Sequence, residues 1–382
     1  MKPRKIKDKI YWMGSVDWDR RLFDTLVPLP DGTSYNAYLI EGSEKTALLD
    51  TVDPPMAHEL LSQLEGIPKL DYVISQHAEQ DHSGTIPQVL EKFPDAKLIA
   101  SSKAKGMLMD LLQVPEKYFI TVEDGETLSL GDKTLKFIYT PWVHWPETMS
   151  TYLEEDKILF SCDFFGSHIA TTDLFVTDEG RVLEAAKRYF AEIMMPFRSV
   201  IQKDLEKLAS YEIEMIAPSH GQIYPRASLI IDAYKDWVLG ALRNKVVIPY
   251  VNYLVSALVE KGVGVEQFNL AVTDIGKLAM ALIDAATIVV GTPAILAGPH
   301  PYAAYAAFLA NALRPRTKFL SIIGSYGWGA KTVEVLAGMI PNLKVEVIEP
   351  VFSKGLPSEA DFKALENLAE TIAMKHKEQG FK

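Results

Sequence analysis

The chain has 382 residues, 48% of them hydrophobic and 23% charged, and carries a formal net charge of −11 at neutral pH; that length suffices for two domains with full cores. The acidic balance argues against a nucleic-acid partner, because phosphate binding needs a basic surface, and no run of about 18 apolar residues is present to span a membrane. A single cysteine, Cys162, excludes an internal disulfide and any Cys-x-x-Cys iron or dithiol site.

The first residues, Met1 to Lys9, are basic with no apolar stretch behind them, which points to a cytoplasmic protein. Ile10 to about Val52 reads as short strands and turns: a turn cluster at Pro28 to Thr33, an alternating strand at Ser34 to Glu41, and a β-rich run at Thr46 to Leu49. Ala57 to Leu64 and Thr85 to Phe93 have helical spacing. Between them the apolar run Tyr72-Val73-Ile74 leads into Gln76-His77-Ala78-Glu79-Gln80-Asp81-His82-Ser83-Gly84. Two imidazoles and two carboxylates in one loop are a density of metal ligands that solvated loops rarely show. His77, Glu79 and Asp81 occupy every second position, so an extended backbone would aim all three the same way.

Leu98 to Ala100 reads as a strand, Ala104 to Leu112 as a helix, and Leu128 to Leu130 with Leu135 to Tyr139 as paired strands. Three further apolar runs then end in ligand residues. Thr140-Pro141-Trp142-Val143-His144 follows one, Leu159-Phe160-Ser161-Cys162-Asp163 closes another, and Met215-Ile216-Ala217-Pro218-Ser219-His220 closes the last. Taken singly, a His or Asp at a strand end is more often a hydrogen-bonded loop residue than a ligand. Together with the first loop they supply three imidazoles and three carboxylates, harder than a structural zinc site prefers and too many for one tetrahedral ion. Two ions bridged by a carboxylate, with positions open to a small molecule, is the simplest arrangement, and non-haem di-iron suits the donors. Helices at Arg181 to Ala191 and Val200 to Leu208 flank an apolar Met194-Met195-Pro196-Phe197 segment. Tyr189 is the candidate catalytic side chain of the pocket; His168 carries no motif and reads as a plain loop histidine. Strands with interleaved helices and ligand loops at strand ends describe an αββα sandwich over residues 1–240.

Ser228 to Leu239 reads as a linking helix. From 241 to 382, short apolar strands (Val246 to Tyr250, Val265 to Phe268, Thr287 to Val290, Phe319 to Ile323, Val345 to Ile348) alternate with amphipathic helices. Five such units predict a doubly wound parallel sheet of flavodoxin type, which binds ligands at its carboxyl strand ends.

The His-x-Glu-x-Asp-His loop followed by His, Asp and His at later strand ends resembles the metallo-β-lactamase fold. Glu79 in place of a second histidine, with WVHWPETM at 142–149 and Ser-Cys-Asp at 161–163, resembles the flavodiiron proteins, and the likeness runs from Tyr35 to the C-terminus. That resemblance implies His77, Glu79 and His144 on one iron, Asp81 and His220 on the other, and Asp163 bridging; the residue equivalent to His82 is a ligand in some members and not in others. It implies reduction of dioxygen to water or of nitric oxide to nitrous oxide, FMN as electron relay, and an external donor such as rubredoxin. A head-to-tail homodimer, or a dimer of dimers, goes with it. The alternatives are a metal-dependent hydrolase of the metallo-β-lactamase superfamily and a flavin-deficient inactive relative.

Thr292, Pro293, Ala294, Ile295 and Gly298 in one loop, and Ser325, Tyr326, Gly327, Trp328 and Gly329 in another, resemble the ring-binding loops of flavodoxins, with Tyr326 and Trp328 the candidates to stack on the ring. The first strand-to-helix turn departs from that pattern. Lys245-Val246-Val247-Ile248-Pro249-Tyr250-Val251 runs straight into Asn252-Tyr253-Leu254, with no Ser/Thr/Gly-rich turn to hold the FMN phosphate at a helix N-terminus; against the usual βαβ unit, roughly ten residues of loop and first helical turn are absent.

Overall fold

The computed structural model describes residues 2–23, 27–248, 252–295, 298–327 and 331–381. The chain divides into two compact units, one of residues 1–189 with 197–235 and one of residues 190–196 with 236–382.

In the first unit, hydrophobic alternation builds two sheets. A seven-stranded sheet runs in the order Arg4–Lys7, Ile10–Trp12, Tyr38–Glu41, Thr46–Leu49, Tyr72–Ile74, Lys97–Ser101, Phe119–Val122. Its first pairings are antiparallel and its last three parallel. A five-stranded sheet runs Thr127–Ser129, Thr134–Tyr139, Met149–Leu153, Ile158–Cys162, Met215–Pro218. Because side chains alternate along a strand, Tyr38, Ile40, Ala47, Leu49, Ile74 and Ile99 point to one face of the larger sheet, where they pack with Leu135, Phe137, Met149, Ile158 and Phe160 of the smaller one. Leu39, Leu48, Val73, Leu98 and Ala100 point to the other face and meet Leu60, Leu64, Val89, Leu90, Ala104 and Leu108 of the covering helices. A strand buried on both faces reads as a continuous apolar run, which is why these strands were conspicuous in the sequence.

The second unit is a parallel sheet in the order Gly264–Gln267, Arg243–Ile248, Ala285–Ile295, Phe319–Tyr326, Glu346–Val347, with Val351–Lys354 continuing beside Phe319–Tyr326. That order, second strand outside the first, is the flavodoxin-like doubly wound one. Val246, Val289, Phe319 and Ile323 pack against Leu254 and Leu258 of the helix Asn252–Glu260 and against Leu365, Leu368 and Ile372 of the last helix, Glu359–Glu378.

Three sequence expectations change. Gln80–Ser83 forms a helical turn with Glu79 as its N-cap, so the ligand loop stops being extended before Asp81. The stretches at Gly291–Ile295 and Gly324–Tyr326 are not loops but carboxyl-terminal extensions of two strands, paired in register Gly291 to Ile323, Thr292 to Gly324 and Pro293 to Ser325. Glycine is required at 324, where a Cβ would come within 2.1 Å of the Thr292 carbonyl oxygen. Lastly, the first strand of this unit ends at Ile248 and the helix begins at Asn252, so three residues connect them, a normal length for a βα loop; Pro249, Tyr250 and Val251 themselves lie outside the described residues, as do Trp328 and Gly329.

Candidate metal centre

Four strand ends in the first unit deliver seven side chains to one place. The helical turn after Glu79 splits the first loop between two groups of donors. His77 and Glu79, still extended, face His144: His77 Nε2 lies 3.0 Å and His144 Nε2 3.1 Å from Glu79 Oε2. Asp81 and His82, on the turn, face His220: Asp81 Oδ2 is 3.2 Å from His220 Nε2, and Asp81 Oδ1 is 3.4 Å from His82 Nε2. Asp163 belongs to both. Its Oδ2 is 3.4 Å from His77 Nε2 and 3.3 Å from His144 Nε2, whereas its Oδ1 is 3.0 Å from His82 Nε2 and 3.4 Å from His220 Nε2.

These spacings are those of ligand atoms around a metal. Donors about 2.1 Å from one ion stand roughly 3.0 Å apart at right angles and roughly 3.4 Å apart at tetrahedral angles. Both Asp81 oxygens, both His82 ring nitrogens and Asp163 Oδ1 are buried and make no hydrogen bond, a costly condition for polar atoms unless an ion satisfies them. The donors therefore fit two ions, one in each group, with the Asp163 carboxylate between them.

Surrounding residues fix the donors. His77 Nδ1 donates to Glu147 Oε1 at 2.7 Å, and the same oxygen accepts the Ala78 N–H at 2.9 Å. His220 Nδ1 donates to the Ser34 carbonyl at 2.7 Å. Both contacts commit Nδ1 and leave the Nε2 lone pair for a metal. Asp163 is aimed by a bulge: the parallel pairing of Ile158–Cys162 with Met215–Pro218 shifts register between Phe160 and Cys162, and Cys162 has a φ of +53°. Glycine follows His220 because a Cβ at Gly221 would meet Ser167 Oγ at 2.0 Å. Burial pushes the Cys162 thiol up, and its sulfur lies within 4.8 Å of donor atoms of His82 and Asp163.

Without a metal, burial favours neutral imidazoles, but the carboxylates win. Against burial, His77 is raised to about 10 by Glu147 and Glu79, His82 to about 10 by Asp81 and Asp163, and His144 to about 10 by Asp163 and Glu79. Glu79, despite burial, is held well below the ordinary carboxylate range by His144 and His77.

His168 is more than a loop residue. Its ring centroid is 4.8 Å from those of both His220 and Tyr189, its Nδ1 lies 2.9 Å from Thr33 Oγ1, and its buried Nε2 has no partner. Burial, then His220, drive its pKa well below the ordinary value. Tyr189 is buried 5.9 Å from the His220 ring, and burial followed by the Asp163 charge pushes its hydroxyl up. Phe23 packs on both His168 and His220. Neither His168 nor Glu147 stood out in the sequence; only the WVHWPETM run containing Glu147 offered a signal.

At the carboxyl strand ends of the second unit lies a cavity of about 470 Å³. Thr292, Pro293 and Ser325 line it with Gly291, Gly324 and His300. Among the other ring-binding candidates, Ala294, Ile295, Gly298, Tyr326 and Gly327 are described but are not on its wall.

An αββα sandwich with ligands at four strand ends, together with a flavodoxin-like sheet, defines a metallo-β-lactamase-fold protein with a two-metal centre. The sequence model of the ODP family beta lactamase matches residues 33–221. The chain is 36% identical to a nitric oxide reductase of Moorella thermoacetica over 91% of each protein. It is 32% identical to a rubredoxin-oxygen oxidoreductase of Megalodesulfovibrio gigas over 395 aligned positions covering 98% of each; that length exceeds this chain's 382 residues, so the relative has residues without counterpart here. The solved flavodiiron protein of Giardia intestinalis superposes with a TM-score of 0.90 at 27% identity, covering 100% of this chain and 99% of that one. The chain belongs to the flavodiiron proteins, a family whose name records a flavin and a pair of irons.

Proposed function

We propose that the chain is an oxidoreductase that reduces dioxygen to water, nitric oxide to nitrous oxide, or both, at two irons held by His77, Glu79 and His144 on one side, Asp81, His82 and His220 on the other, and Asp163 between. The observation that carries this reading is Asp163, which presents one oxygen to each histidine group. When bound, the irons supply redox equivalents and open positions for a diatomic molecule. The chain's own side chains do the rest. Glu147 and the Ser34 carbonyl hold two imidazoles in orientation, Phe23 contributes an apolar wall against His168 and His220, and Tyr189, protonated across the physiological range, is a hydrogen-bond donor at the pocket.

Electrons come from an external partner of rubredoxin type by way of a flavin in the second unit; the curated relatives named above for nitric oxide and for rubredoxin and oxygen support both substrates and this donor. No helix among the described residues is long and apolar enough to cross a membrane, in keeping with a cytoplasmic enzyme. The working assembly is a homodimer or a dimer of dimers, a reading supported by Val272 and Leu356, which stand 81% and 91% exposed in a single chain. Iron-loaded protein supplied with a reducing partner should consume O2 or NO in proportion to electrons delivered. A protein that takes up only zinc and hydrolyses phosphodiesters or esters would contradict the proposal.

A further inference from the structure

His168 sits beside the metal centre without belonging to it. It is 5% exposed, it joins none of the donor clusters among the described residues, and its Nε2 has no hydrogen-bond partner. A neutral imidazole has one donor and one acceptor nitrogen, and a buried nitrogen left unmet is costly. The way the ring is held shows which way that nitrogen faces. His220 Nδ1 donates to the Ser34 carbonyl oxygen at 2.7 Å, and His168 Nδ1 lies 2.9 Å from the hydroxyl oxygen of the preceding residue, Thr33. The two rings, 4.8 Å apart between centroids, are thus tethered by the same ring atom to neighbouring residues of one strand, Thr33–Tyr35. In an imidazole Nε2 lies across the ring from Nδ1, so both Nε2 atoms are directed away from that strand. For His220 this direction leads to Asp81 and Asp163, 3.2 and 3.4 Å away. His168 Nε2 opens to the same side, and the charges of Asp163, His82 and Glu79 reach it. Tyr189 and Phe23 pack against the ring, with centroids 4.8 and 5.5 Å away.

The tether also fixes the proton. Thr33 has one hydroxyl proton and two candidate acceptors, His168 Nδ1 at 2.9 Å and the Ser34 carbonyl oxygen at 3.3 Å. The carbonyl already accepts from His220, and the shorter contact is the better one, so the hydroxyl donates to Nδ1. The proton of the neutral ring is then on Nε2. A fixed N–H beside a redox centre suits an acceptor on which negative charge grows as electrons arrive.

We infer that the Nε2–H of His168 donates a hydrogen bond to the oxygen- or nitrogen-containing molecule that binds beside His220, so that His168 is a substrate contact and not a metal ligand. The inference rests on the proposed function for the metal pair, and deepens it by naming a side chain that meets the incoming molecule. The test uses azide, a small anion with nitrogen acceptors, added to the oxidised iron-loaded protein and followed by its absorption. His168→Phe keeps a ring but removes the N–H, and should weaken azide binding about tenfold or more, the worth of one hydrogen bond to a charged acceptor. His168→Gln restores an N–H and should return to within about threefold of the wild type. Azide affinity unchanged in His168→Phe, or an equal loss in both variants, overturns the inference. Nitrogen NMR of the histidine-labelled wild type, loaded with zinc in place of iron, needs no variant: His168 should carry its proton on Nε2, and a proton on Nδ1 overturns the inference. Iron content is read on the same azide samples. Wild-type protein without two irons removes the metal pair and the inference with it, whereas two irons with azide binding indifferent to both variants removes the role of His168 alone.

Discussion

Glu147 shows what spacing alone conceals. The ligand residues were legible because a strand ending in His-x-Glu-x-Asp-His, and three more strands ending in His or Asp, are patterns of residue type and position. Glu147 contacts His77 across 70 positions of sequence, and such a contact exists only after folding. Because it orients the ligand and raises its basicity, Glu147→Ala should weaken iron binding about 10- to 100-fold, read by competition with a chelator; unchanged affinity would remove Glu147 from that role. Loading should also depend on pH. His77, His82 and His144 are raised to about 10 in the metal-free chain, so at neutral pH iron must displace their protons, and affinity should climb as pH rises from 6 to 9. A pH-indicator titration should register proton release on iron binding; none at pH 7 would contradict these protonation states. For stability the sign is the reverse: raised imidazole pKa values stabilise the metal-free fold fully below about 6.5, and that contribution fades as pH rises towards about 10.

Elements were legible where both faces are buried, as in Tyr72–Ile74 and the 287–290 part of Ala285–Ile295, and misread where polar residues change conformation without changing composition. Gln80–Ser83 looked extended by alternation, yet its turn is what turns Asp81 away from His77. Gly291–Ile295 looked like a loop because glycine and proline punctuate it, yet parallel pairing carries the strand through. The last helix is fastened by a buried histidine: His376 Nδ1 lies 2.8 Å from Asn244 Oδ1 and Nε2 2.7 Å from Thr287 Oγ1, tying Glu359–Glu378 to two strands. The helix C-terminus favours a cation there, but burial wins and lowers His376 to about 4. A depressed imidazole pKa means that the unfolded chain binds the extra proton first, so the contribution is complete above about 6.5 and is lost as pH falls towards about 4. It should amount to about 2 kcal/mol after allowance for solvent screening. Urea unfolding at pH 7 and pH 5 should show that loss in the wild type and a smaller one in His376→Asn; equal losses would contradict it.

At the scale of the whole molecule, two architectures with separate cores share one chain, and the order of their elements was readable throughout because hydrophobic period survives without tertiary information. Convergence was not. The two groups of donors were legible only through the family resemblance, whereas the position of His82, as near Asp163 as any imidazole, follows from packing of the two sheets. Everything proposed about activity depends on Asp163 serving both groups. The most direct measurement is iron stoichiometry with Mössbauer spectroscopy on anaerobically loaded protein. The wild-type protein should carry two irons per chain, magnetically coupled, and Asp163→Ala should leave them uncoupled or reduced to one. A single iron, or two that are uncoupled in the wild type and unaffected by the substitution, would contradict it.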